Sequence, residues 1–179
     1  MGIKLIVPPV AVEPVGIEEV KQALRVQHTM DDAVLASYRT AAREWVERRI
    51  QSKIATETWE LVIDAFPVNE IRLPFGPAQS IVHIKYDDAD GNEQTVPDTD
   101  YALDSTSSEP WVFSDAGWPT ALDAFNAVRI RFVTGYADLT LIPAPIRAAL
   151  ILKIKELYDK ESNAVAIHDL LTNWYKMVA

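Results

Sequence analysis

The chain has 179 residues, 49% of them hydrophobic and 24% charged, with a formal net charge of −9. That balance fits one globular domain with a real core and room for a subdomain, and it excludes a disordered chain. The absence of cysteine excludes disulfides and thiolate chemistry, and no apolar run approaches the roughly 20 residues that span a bilayer.

The opening run, IKLIVPPVAV, is apolar, but Pro8 and Pro9 break it and only Lys4 precedes it, so it matches a signal peptide poorly. Residues 1–16 read as an extended arm, too interrupted by proline to make an ordinary strand or helix of its own. Such an arm is expected to pack on a neighbouring subunit or partner, or to be mobile when alone. Residues 17–26 form a short helix with Val20, Ala23 and Leu24 inward and Glu18 and Glu19 in its first turn. A tight connection leads to the clearest helix in the chain, residues 31–53. Val34, Tyr38, Ala41, Trp45 and Arg49 recur along it at amphipathic spacing, and Leu35, Ala42, Val46 and Ile50 widen the stripe. Later helices are expected to pack there. Glu44 and Glu47 alternate with Arg43, Arg48 and Arg49, the pattern of a salt-bridged face.

From Glu57 the period changes to two. Trp59, Leu61 and Ile63 alternate with Glu60, Val62 and Asp64 as a strand. Short strands follow at residues 70–73, 80–86, 93–96, 101–103 and 111–113, with a hairpin turn at Asp90-Gly91. Residues 126–133 are the best late strand, with Val128, Ile130 and Phe132 on one face and Arg129 and Arg131 on the other. Helices return after Pro143, with Pro145 suited to a first turn. Ile146, Ala149, Leu150, Ile154 and Leu157 stripe one helix. After Asn163, Ile167, Leu170, Leu171, Trp174, Tyr175 and Val178 stripe the last. The result is an α+β chain. An extended arm, 1–16, precedes a helical module of two N-terminal and two C-terminal helices, 17–54 and 143–179. An antiparallel β-domain of about six strands, 55–142, is inserted between its halves.

Charge follows that division. Residues 55–142 hold 15 acids against 4 bases, and the rest hold 11 against 13. An acidic surface repels nucleic acid rather than gripping it. His28, His83 and His168 lie far apart and match no metal spacing. There is no glycine-rich phosphate loop and no GxSxG elbow. The cluster Asp87, Asp88, Asp90 with Gly91 resembles a calcium loop at first sight. Aligning Gly91 with the glycine such a loop requires puts Tyr86 and Pro97 where ligands belong, so it reads as a turn. No set of nucleophile, base and oxyanion donors assembles, and the residues imply no catalytic group, metal or cofactor.

The ordered series PVGIEEVKQALRV, DDAVLASYRTAAREWVE, TWELVIDAFP, EIRLPFGPAQSIVHIKYDDADG, NAVRIRFVTGYAD and IPAPIRAALILKIKELYD resembles the head–tail connector, or adaptor, proteins of tailed phages, prophages and gene transfer agents. The likeness covers residues 15–159. Where many relatives carry a Thr-Gly pair after the long helix, this chain carries Gln51-Ser52. The resemblance implies a non-enzymatic structural protein of the virion, made in the bacterial host cytoplasm and placed at the head–tail junction. It implies a ring of copies of itself, usually twelve, beneath the portal protein. That ring joins the portal to a stopper or tail-completion protein and lets DNA pass without sequence-specific binding. No membrane partner is implied.

The helical module is implied to make the subunit contacts. The candidate interface residues are therefore Trp45, Arg48 and Arg49 on the long helix and Ile167, Leu170, Leu171, Trp174 and Tyr175 on the last one. Two other readings compete: a carbohydrate- or host-binding β-module using Trp59, Trp111 and Trp118, and a metal-dependent hydrolase using the acid cluster.

Overall fold

The structure is a computed structural model that describes residues 1–9, 13–106 and 109–178, and of 173–178 only the helical backbone. The chain divides into two compact units, Met1–Val10 with Ala55–Ala137, and Ala11–Ile54 with Asp138–Ala179. The first holds the strands and the second the helices, giving an α+β fold. Charge separates with them: the β unit carries 14 acids against 5 bases, and the helical unit 12 of each.

The β unit contains eight described strands in two antiparallel sheets. They are β1 (Gly2–Val7), β2 (Glu57–Ile63), β3 (Ile71–Arg72), β4 (Ala78–Asp87), β5 (Glu93–Val96), β6 (Ala102–Asp104), β7 (Trp111–Phe113) and β8 (Val128–Thr134). The larger sheet has the order β1-β2-β8-β4-β5 and the smaller β3-β7-β6. β8 lies at the centre, and its burial alternates perfectly, as strand geometry requires of a sheet with one packed face. Val128, Ile130 and Phe132 share a core with Leu61 of β2, Ile84 of β4, Ile71 of β3 and Val112 of β7. Arg129 and Arg131 take the opposite face, where Arg131 pairs with Glu60 at 2.7 Å and Arg129 with Asp87 at 2.6 Å.

The expected free arm is corrected over its first half. Gly2–Val7 is an edge strand, paired antiparallel with β2 so that Ile3 faces Leu61 and Leu5 faces Trp59. The run IKLIV finishes before Pro8, so the prolines end the ladder instead of interrupting it. The second half belongs to the helical unit. Val15 is buried there, and Glu13 bonds Thr40 at 2.8 Å.

The helical unit contains α1 (Ile17–Leu24), α2 (Asp32–Ile50), α3 (Ala144–Asp159) and α4 (Ala164–Val178). α2 packs on α3, and α3 on α4. Which stripe of α2 turns inward differs from expectation. Leu35, Ala42, Val46 and Ile50 are buried, whereas Val34 and Ala41 are exposed and Tyr38 and Trp45 half-buried. The helix is apolar on two neighbouring stripes, and the partners decide which one is covered. Ile146, Ala149, Leu150 and Ile154 of α3 and Ile167 and Leu171 of α4 complete this core. Ion pairs tie the helices together: Lys21 with Asp32 at 2.9 Å, and Arg147 with Glu19 through Nε and Oε1 at 2.9 Å. The Tyr158 hydroxyl donates to Asp31 at 2.7 Å.

Candidate assembly interface

Three of the expected interface residues come together where α2 ends. Gln51 adopts a left-handed conformation, φ +51°, and its N–H closes the helix on the Glu47 carbonyl. This turn leaves Arg48 and Arg49 on the outside. Together with Ile50, Gln51, Leu171 and Thr172 they line an open cavity of about 520 Å³. Its floor is apolar, since Ile50 and Leu171 are almost fully buried, and its rim is cationic.

Among the described residues the rim charges are not neutralised. Arg48 Nε donates to the Glu44 backbone carbonyl at 3.3 Å. The Arg49 guanidinium lies 2.9 Å from His168 Nδ1. A guanidinium can only donate, so Nδ1 accepts and the imidazole carries its proton on Nε2, 3.5 Å from the Thr172 hydroxyl. Among the described residues, no carboxylate lies within 4 Å of either arginine.

The remaining candidates separate. Trp45 lies one turn before the arginine pair, half-buried, with Lys153 Nζ 4.5 Å from its ring centroid. Glu156 holds that lysine at 2.6 Å, so the ring face has a cation partner within its own unit. Ile167 is completely buried and Leu171 nearly so; both belong to the core, and Leu170 is half-buried. The side chains of Trp174 and Tyr175 lie outside the described residues. Sequence reasoning missed Gln51, His168 and Thr172. The spacing of His168 and Thr172, one turn apart on α4, was the available signal.

The competing readings lose their residues to local structure. Trp59 packs against Phe75, Trp111 against Phe113, and Trp118 stacks on Phe66 at 5.2 Å. The three tryptophans thus serve separate aromatic pairs. Asp88 accepts the backbone N–H groups of Asp90 and Asn92 on one oxygen and Gln94 Nε2 on the other. Those bonds hold its carboxyl below the usual range and make it the scaffold of the turn. Among the described residues no cluster of three or more His, Cys, Asp or Glu side chains could hold a metal ion. No described helix is long and apolar enough to cross a membrane.

The described residues thus offer a basic cleft without a neighbouring carboxylate, and the acid cluster at Asp87–Asp90 is committed to a turn and an ion pair. The comparisons with known proteins give the class. Residues 15–108, more than half the chain, match the family described as phage gp6-like head-tail connector protein. The chain belongs to this family, and its role is that of a structural connector. No curated protein matches it significantly.

Three solved structures share the fold over 97% of this chain. One is the neck of an empty gene transfer agent particle computed with C6 symmetry: 20% identity, 95% of that chain covered, TM-score 0.80. Another is the virion of a native gene transfer agent particle: 19% identity, 95% covered, TM-score 0.78. The third is the neck of a native particle computed with C12 symmetry: 21% identity, 94% covered, TM-score 0.73.

Proposed function

We propose that this chain is the ring-forming adaptor of a phage-like particle, without enzymatic activity. Twelve copies sit beneath the portal at the head–tail junction, join it to a stopper or tail-completion protein, and leave a central channel for DNA. The observation that carries this reading is the family match over residues 15–108. The fold similarity to neck structures treated with sixfold and twelvefold symmetry supports a ring of this order. The β unit, with 14 acids against 5 bases, supports a chain that DNA slides past, because phosphates gain nothing from such a surface. Arg48, Arg49, Leu171 and the half-buried Trp45 are proposed as part of the contact surface in the helical unit.

The test is mass photometry and negative-stain microscopy of the full chain, alone and mixed with the portal protein of the same particle. Closed rings of about twelve copies, formed alone or on the portal, are the expected result. A chain that stays monomeric in both conditions, and is missing from purified particles, overturns the proposal.

A further inference from the structure

A closed ring built from one kind of chain needs two different faces on every copy, because each neighbour is met head to tail. The Arg48–Arg49 cleft is one candidate face. A second cleft has the opposite sign. In the β unit, Thr99, Asp100, Tyr101, Ala102, Phe113, Asp115 and Ala116 line a cavity of about 200 Å³. Asp98–Asp100 form a short 3-10 turn at its edge, and Asp98, Asp100 and Asp115 are exposed. Among the described residues, no cation lies within 4 Å of Asp100 or Asp115. This sets them apart from Asp87, Glu60 and Glu93, which arginine or lysine neutralises on the same unit. Its wall is apolar, through Tyr101 and Phe113, and burial together with the nearby Asp98 holds the Tyr101 phenol in its neutral form.

We infer that the Arg48–Arg49 cleft of one copy receives the Asp100–Asp115 cleft of a second copy. The inference rests on the ring reading and deepens it. Each cleft offers two charges that meet no opposite charge among the described residues of their own copy, with apolar side chains beside them. Juxtaposing them neutralises both pairs and covers the half-buried Tyr101 and Phe113, while two basic clefts or two acidic clefts repel each other. The contact therefore excludes the pairing of like clefts and joins two different faces, the kind of contact that a head-to-tail ring repeats from copy to copy.

The absence of cysteine makes a clean test possible. Gln51→Cys places a thiol beside the basic cleft and Thr99→Cys one beside the acidic cleft, both at exposed positions. The two full-length variants are purified separately, mixed under mild oxidation and analysed for disulfide dimers. The mixed dimer is expected to form on the order of tenfold faster than either homodimer at low salt, and to lose that advantage at high salt. Adding Arg48→Glu and Arg49→Glu to the Gln51→Cys chain should abolish the preference, with circular dichroism confirming that the chain is folded. Equal rates for all three dimers overturn the inference, as does a preference that survives the charge reversal. A chain that forms rings with the portal but shows no preference keeps its connector role and loses this contact. A preference without any ring keeps the contact and removes the ring.

Discussion

The Arg43 guanidinium and the Glu47 carboxylate, one turn apart on α2, form an ion pair at 3.3 Å inside the helical unit, with side chains only 6% and 3% exposed. Glu13 closes on Arg43 Nε at 3.0 Å, and Glu47 accepts the Ile54 N–H at 2.9 Å. Lys53 approaches Glu47 at 3.5 Å. One buried network thus pins the chain where it enters α1 and where it leaves α2. Burial opposes the charge on Arg43, and Glu47 and Glu13 more than offset it, so the guanidinium holds its proton more tightly than usual.

Removing one member of this network strands the other. Arg43→Ala or Glu47→Ala should each cost about 3–5 kcal/mol. The paired variant Arg43→Met with Glu47→Leu should cost far less than the sum of the singles. Urea unfolding followed by circular dichroism measures all three. A single substitution that costs under about 1 kcal/mol would show that the pair is solvated rather than buried.

A second stability prediction concerns Gly135, just after β8. Its φ is +96°, and a methyl group added there would sit 2.1 Å from the Ala55 carbonyl oxygen. The clash is with backbone, which cannot swing aside, and the conformation is one that only glycine adopts readily. Gly135→Ala should destabilise the β unit by more than about 3 kcal/mol. Wild-type stability in this variant would mean the turn has another conformation.

The last helix carries both core and surface residues. Ile167 is fully buried, so Ile167→Ala should lower stability by about 2–5 kcal/mol. Deleting residues 167–179 should unfold the helical unit and not merely prevent docking. A deleted chain that still melts cooperatively near the parent temperature would show that α4 is dispensable for folding.

The acid side of the stability profile should depend on Asp87. Hydrogen bonds from Arg129, the nearer at 2.6 Å, hold its carboxyl below the ordinary carboxylate range. A depressed folded value means that the unfolded chain takes up the proton first. The pair therefore stabilises above the ordinary carboxyl pKa, and the benefit is lost as pH falls through the lowered value. Asp87→Asn should be less stable than the parent at about pH 7, and the gap should close by about pH 2.5. A gap of constant size across that range would sever Asp87 from the acid response.

Period and punctuation made much of the fold readable. The alternation of Val128, Ile130 and Phe132 with two arginines located the central strand and its packed face, because one side of a sheet must shed its charges. Three features depended on partners distant in sequence. β1 looked like an arm because its strand identity comes from pairing with β2, some fifty residues later. α2 offered two adjacent apolar stripes, and only the positions of α3 and α4 choose between them. Glu47 and Glu44 are alike in sequence, yet Glu44 is exposed while Glu47 is buried and bonded to Arg43 and the Ile54 N–H. Arg48, Arg49 and Leu171 were named from their place on two helices of the module that the family resemblance implies makes the contacts, and the structure brings them to one cavity. Asp100 and Asp115 escaped notice because a charge without a partner is visible only once its neighbours are known.

The two units interrupt each other along the chain: β1 precedes the first helices, and all the other strands come between α2 and α3. During synthesis α2 therefore has α1 beside it but lacks α3 and α4 until the β unit has been made. At about 5–20 residues per second, the stretch from Ile50 to Ala144 takes roughly 5–20 s. For that interval Leu35, Ala42, Val46 and Ile50 are without their cover, and the unmade half of the helical unit is a substrate for chaperones.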